Sequence, residues 1–167
     1  KQTSDGWLLN GAKMWITNGS MADVAIIWAQ TGEIGDVKGI RGFVVPTDTP
    51  GFSAKDQEGK LSLLASDTSE LVLQDVEVPD TAVLPGGSEG LKNPLMCLTQ
   101  ARYGISWGVV GAAMACFDEA LSYSKERLMF ETPIGGKQIQ QVRLADMLTG
   151  ITQGQLLCDR LGRMKDE

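Results

Sequence analysis

Histidine is absent from all 167 residues. That absence removes Ser-His-Asp and Cys-His nucleophilic mechanisms, and it removes the commonest metal ligand. Cysteine is scarce: Cys97, Cys116 and Cys158 are far apart and odd in number. They form neither a disulfide framework nor a zinc spacing, which points to a reducing compartment. No apolar run approaches the roughly 20 residues that a bilayer-spanning helix needs, and no signal-peptide pattern opens the chain. Positive charge is also short, with 15 Lys+Arg against 21 Asp+Glu and a net charge of -6. An acidic balance argues against nucleic-acid or membrane-surface binding. Glycine-rich phosphate loops are missing as well. Gly86-Gly87-Ser88-Glu89-Gly90 has neither Walker nor Rossmann spacing, and Gly135-Gly136-Lys137-Gln138 lacks the loop that should precede it.

What is present divides into two grammars. Residues 1–91 carry 6 basic and 13 acidic side chains, whereas residues 92–167 carry 9 and 8. The first stretch reads as β. Trp7-Leu8-Leu9 and Lys13-Met14-Trp15-Ile16-Thr17 flank Asn10-Gly11, a strong hairpin signal because both turn positions favour φ > 0. Residues 22–31 contain a buried-strand type of run, Val24-Ala25-Ile26-Ile27-Trp28, and residues 40–46 and 70–79 add further strands. Short strands with turn residues between them predict an antiparallel barrel or sandwich.

Residues 92–167 read as two helices, so the fold class is α+β. Asn93-Pro94 supplies a cap and a first-turn proline, and the helix is expected to reach about Phe130. Gly104, Gly108, Gly111 and Ala115 form a small-residue stripe. Its three interior glycines together cost roughly 3 kcal/mol against Ala, which only close packing on another element offsets. After the breaker Thr132-Pro133-Ile134-Gly135-Gly136, a second helix is predicted from about Lys137 to the end, with the stripe Leu144, Met147, Leu148, Ile151, Cys158 and Leu161. Two helices cannot bury such faces alone, so further helices or an oligomer are expected.

Few residues stand out chemically. Trp15 and Thr17 lie two apart on a strand and so share a side. An indole face beside a hydroxyl suits a flat heteroaromatic ligand, although the same spacing more commonly describes a core Trp and a β-branched strand residue. Arg102 and Arg127 suit ligand phosphates or a solvated, ion-paired surface. Leu128-Met129-Phe130 reads as packing at a helix end, and no carboxylate pair has a spacing that marks an acid/base couple.

Taken in order, the segments resemble the acyl-CoA dehydrogenase family over essentially the whole chain. The matching stretches include Gly6-Trp7-Leu8-Leu9-Asn10-Gly11-Ala12-Lys13, Trp15-Ile16-Thr17-Asn18, Gly39-Ile40-Arg41-Gly42-Phe43-Val44-Val45 and Asp75-Val76-Glu77-Val78-Pro79. They continue with Ala101-Arg102-Tyr103-Gly104-Ile105-Ser106-Trp107-Gly108, Arg127 with Phe130, Gln138, and Leu144-Ala145-Asp146-Met147-Leu148. The 101–108 run points to the glutaryl-CoA branch.

The resemblance implies a flavin- and acyl-CoA-binding middle β domain at residues 1–91, followed at 92–167 by the first two helices of a truncated C-terminal bundle. It implies FAD in a homotetramer. Trp15 is then expected beside the isoalloxazine ring, Ile16 in backbone contact and the Thr17 hydroxyl at the flavin N5 edge. Arg127, Phe130 and Gln138 are expected at the FAD of a neighbouring subunit, Arg127 at its pyrophosphate. Residues 95–102, with Leu95, Leu98, Thr99 and Arg102, are expected along the acyl-CoA channel. The implied reaction is α,β-dehydrogenation of an acyl thioester, with decarboxylation to crotonyl-CoA in the glutaryl branch and electrons leaving to an electron-transferring flavoprotein. The implied compartment is the cytoplasm in a bacterium or the mitochondrial matrix in a eukaryote.

Some features depart from the family pattern. Both ends look cut, and the family's N-terminal helical domain and the part carrying its catalytic glutamate have no match here, so no base is assigned. Glu131 stands where the family usually has glycine, and its charge is expected to weaken FAD binding if it turns inward. The piece alone is expected to be inactive and to hold FAD weakly. Alternatives are another short-chain dehydrogenase or an acyl-CoA oxidase, or a non-catalytic β domain with a helical oligomerisation hairpin.

Overall fold

The computed structural model describes residues 1–86 and 90–167. They form two compact units, Lys1–Leu95 and Met96–Glu167.

The first unit is antiparallel β. Strand β1 (Gly6–Thr17) pairs with β5 (Thr68–Pro79), which pairs on its other side with β4 (Phe52–Asp56). A second sheet joins β2 (Val24–Gln30) to β3 (Ile40–Pro46). Among the described residues the sheets do not close into a barrel; of the two expected forms, the sandwich is the one found. Its core draws Trp7 and Leu9 from β1, Ile27 from β2, Phe43 and Val45 from β3, and Leu71, Leu73, Val76 and Val78 from β5. Phe43 meets Trp7 edge-on with centroids 5.5 Å apart, and the Arg41 guanidinium lies 5.4 Å from the Trp7 ring.

Asn10-Gly11 does not make a hairpin. β1 runs straight through it, and the register slips instead, Leu9 facing Val76 and Gly11 facing Leu73. The extra residue lies on β5, where Asp75 adopts φ 51°. The Asn10 amide locks that bulge by donating to the Asp75 carboxylate and accepting from the Asp75 N–H, both at 2.9 Å. Pairing with a distant strand thus overrides the local turn preference. The 22–31 run also differs from expectation. Only Ile27 is buried, while Val24 and Ile26 are about half exposed (50% and 51%), because their two-stranded sheet has little covering that side.

Two long helices follow, α1 (Lys92–Glu126), which lies in the second unit from Met96 onward, and α2 (Gln138–Asp166). Asn93 lies inside α1 rather than capping it; its amide donates to the Gly86 carbonyl at 2.6 Å. α1 stops four residues before Phe130, because 128–133 fold into a small hairpin, β6 (Leu128–Met129) with β7 (Thr132–Pro133). The helices meet where α2 is thinnest: a Cβ at Gly154 would sit 3.1 Å from the Val110 side chain, and one at Gly162 would sit 2.6 Å from the Tyr103 hydroxyl. Gly104, Gly108 and Gly111 behave oppositely. Among the described residues nothing comes within 4 Å of a Cβ built on any of them, so that stripe is unpartnered in this chain. No helix among the described residues is long and apolar enough to cross a membrane.

Candidate functional site

The expected ring-binding segment sits on a second irregularity in β1. Lys13 faces Leu71 and Ile16 faces Ser69, so β1 inserts one residue, and Trp15 adopts a left-handed φ of 63°. A bulky residue there costs roughly 1–2 kcal/mol. The bulge re-aims the strand: Ile16 packs against the core, while Trp15 is 68% exposed and Thr17 is exposed. The core-Trp reading therefore does not describe Trp15. A strained, solvent-facing indole is the type of local conflict that marks functional positions.

Beside this segment lies a cavity of about 290 Å³, lined by Lys13, Ile16, Thr17, Gly19, Val24 and Trp28 among others. Trp15 is not part of its wall. Lys13 was not singled out from the sequence, yet its half-buried ammonium donates to the Trp28 carbonyl at 2.8 Å. The turn after Thr17 is pinned to the start of β5. Asn18 N–H donates to the Asp67 carbonyl at 3.2 Å, and Ser20 N–H donates to the Ser69 hydroxyl at 3.0 Å. Ser69 is fully buried (0% exposed). Its hydroxyl lies 3.0 Å from an Asp56 carboxylate oxygen and 3.3 Å from one of Asp67. Hydrogen bonding by Ser20, then by Ser69 and Asp67, outweighs desolvation and holds the Asp56 carboxyl below its ordinary value. Nothing in the residue pattern marked this cluster, since Ser69 looks like any strand serine.

The remaining candidates lie on the helices and the small hairpin. Leu95, Leu98, Thr99 and Arg102 follow i, i+3, i+4, i+7 spacing and so share one face of α1; all four are exposed, Leu95 at 51% and Leu98 at 45%. Arg127 directly follows α1; its carbonyl accepts the Ile134 N–H at 2.8 Å, and the residue is exposed. Phe130 is 88% exposed at the tip of the hairpin, not packed at a helix end as expected. Phe130 and Glu131 both have left-handed φ, 53° and 60°, as a type I′ turn demands. Glycine suits the second of those positions without strain, which is the physical meaning of the departure at Glu131. Gln138 is the first residue of α2 and is exposed. Residues 87–89 of the glycine-rich 86–90 stretch lie outside the described residues.

Each unit by itself offers chemistry that a flavin nucleotide can use. In the β unit Trp15 offers a bare aromatic face, Thr17 a hydroxyl and Ile16 an apolar edge; in the helical unit Arg127 and Gln138 are exposed donors suited to phosphate oxygens. If the strain at Trp15 is maintained for a ligand, Trp15→Gly raises the apo-protein's stability by up to about 1 kcal/mol, because glycine takes φ > 0 freely and little packing is lost. The same variant binds the ligand at least about tenfold more weakly, reflecting the lost ring contact. Equilibrium unfolding and flavin titration check the pair; loss of stability in the apo-protein would show that Trp15 is structural.

Two family models match: the acyl-CoA dehydrogenase middle domain over residues 1–76 and the acyl-CoA dehydrogenase C-terminal domain over residues 88–167. The crystal structure of glutaryl-CoA dehydrogenase from Mycobacterium smegmatis superposes with a TM-score of 0.92 at 54% identity, over 99% of this chain and 41% of that one. A second structure from that organism, a glutaryl-CoA dehydrogenase in complex with FADH2, gives a TM-score of 0.92 at 50% identity with the same coverage. The mitochondrial short-chain specific acyl-CoA dehydrogenase of Homo sapiens is 35% identical over 97% of this chain and 39% of its own length. The chain thus spans about two fifths of the relatives it matches. It belongs to the acyl-CoA dehydrogenase family, whose members use FAD.

Proposed function

We propose that this chain supplies the flavin-facing β unit and the start of the acyl-CoA-binding helical unit of an FAD-dependent glutaryl-CoA dehydrogenase. The observation that carries the reading is the exposed, left-handed Trp15 followed by the exposed Thr17 on the β1 bulge. The glutaryl-CoA branch is favoured by the 54% identity to the mycobacterial glutaryl-CoA dehydrogenase, against 35% to the human short-chain enzyme.

FAD, when bound, supplies the acceptor for the hydride leaving the substrate β-carbon. Trp15 and Ile16 would hold the ring, and the Thr17 hydroxyl would donate a hydrogen bond to its edge. Arg127, Gln138 and Phe130 would serve the cofactor of a neighbouring subunit, Arg127 and Gln138 as donors to its pyrophosphate. The α1 face of Leu95, Leu98, Thr99 and Arg102 lines the acyl-CoA, its apolar members excluding water and Arg102 meeting the polar pantetheine end. No carboxylate of this chain is assigned the α-proton. An electron-transferring flavoprotein would be the partner that accepts the electrons. The open stripe of Gly104, Gly108 and Gly111 is consistent with a bundle completed beyond this chain and with a tetramer.

Anaerobic mixing of the full-length protein with glutaryl-CoA and, separately, butyryl-CoA tests the assignment. The expected result is faster flavin bleaching by glutaryl-CoA, with release of CO2 and crotonyl-CoA. Faster bleaching by butyryl-CoA, without CO2 from glutaryl-CoA, makes the protein a short-chain dehydrogenase.

A further inference from the structure

We propose that Ser69 is a positioning residue for the flavin-facing segment, holding the turn at residues 18–22 and through it Thr17. The inference rests on the flavin reading above and adds a residue that does not itself touch the ligand.

Three observations converge on Ser69. First, it is fully buried and polar, and it faces Ile16 across the β1–β5 ladder, next to the Thr17–Thr68 pair. A buried hydroxyl is retained only where its hydrogen bonds are made. Second, among the described residues the bonds of its hydroxyl serve the turn or its anchor. Ser69 accepts from Ser20 N–H at 3.0 Å and lies 3.0 and 3.3 Å from the Asp56 and Asp67 carboxylates. One hydroxyl proton serves one carboxylate at a time, which leaves the oxygen lone pairs free to accept from Ser20. Third, the turn lies directly on the serine. A Cβ at Gly19 would be 2.7 Å from the Ser69 Cβ and 3.0 Å from its Oγ, so only glycine allows this approach.

The anchor is itself braced. Lys60 donates to the carbonyls of Leu63 and Ser66 and to the Thr68 hydroxyl, fixing the loop that delivers Asp67, while the Asp67 carbonyl accepts from Asn18 N–H. The turn closes on itself through Met21 and Ala22 N–H groups donating to the Asn18 carbonyl at 3.1 and 2.9 Å. Removing the Ser69 oxygen leaves the Ser20 N–H without its acceptor and frees the end of the segment that begins at Trp15. A ligand-facing hydroxyl one residue before the turn then loses its fixed direction, and geometric precision of that kind is what a flavin edge contact depends on.

The test uses the full-length flavoprotein with Ser69→Ala and Ser69→Cys, the latter keeping the volume with a weaker acceptor. Amide hydrogen exchange is read at residues 19–22, alongside the flavin reduction rate and acyl-CoA affinity. Exchange at 19–22 is expected to quicken by about tenfold in Ser69→Ala and less in Ser69→Cys, with β5 beyond residue 71 unchanged. Flavin reduction slows in the same order while acyl-CoA affinity stays at the wild-type value. Unchanged exchange at 19–22, uniform loosening of the whole β unit, or local loosening with wild-type reduction each overturns the proposal. Absence of flavin from the wild-type protein sinks the functional reading and this inference together; a flavin-loaded wild type with no local effect sinks this inference alone.

Discussion

Phe43→Ala lowers the stability of the β unit by about 3–5 kcal/mol, the range for emptying a fully buried phenylalanine site. Phe43 has no exposed surface and stands where the two sheets meet, edge-on to Trp7. Its removal strips contacts from β1 as well as from β3, and the rigid sheet backbones on either side limit collapse into the void. A domain of this size has roughly 5–15 kcal/mol in total, so the loss takes a large share. Chemical denaturation of the wild-type and variant proteins checks it through the shift in midpoint. A loss under about 1 kcal/mol would mean that the sheets do not share one core.

Thr17→Ala is expected to slow flavin reduction by the acyl-CoA about 10- to 100-fold, somewhat less than the loss of an oxyanion-hole donor. Thr17 is exposed and lines the cavity beside the bulge, so truncation removes a donor without opening a hole in the core. Folding stability should stay within about 0.5 kcal/mol of wild type, as for other surface substitutions. That separation of rate from stability is the diagnostic. Stopped-flow reduction under anaerobic conditions measures the rate, and an unchanged value removes Thr17 from the ring edge.

Much of the architecture was legible because it rests on periodicity. The alternation of Leu71, Leu73, Val76 and Val78 announces a strand buried on one face, and all four are core residues. What misled were features decided at a distance. Asn10-Gly11 carries every local mark of a hairpin, yet its amide finds Asp75 65 residues away and becomes half of a bulge lock. Leu128-Met129-Phe130 looks like a helix end, but the left-handed pair Phe130 and Glu131 turns it into a hairpin. The candidate site followed the same division. Trp15 and Thr17 are candidates by chemistry and order, and both are exposed. The bulge that exposes them depends on a register with β5 that no local pattern encodes. Ser69 and Lys13 stayed hidden because a buried network is a property of assembled strands.

Whether this chain holds a flavin through Trp15-Ile16-Thr17 is read from the visible absorption spectrum of the purified full-length protein beside that of the Trp15→Ala variant. The expected result is an oxidised-flavin band near one FAD per chain in the wild type, and a band reduced or shifted in the variant. A colourless wild-type protein that gains no flavin spectrum on incubation with FAD, or a variant whose band matches the wild type in position and height, would contradict it.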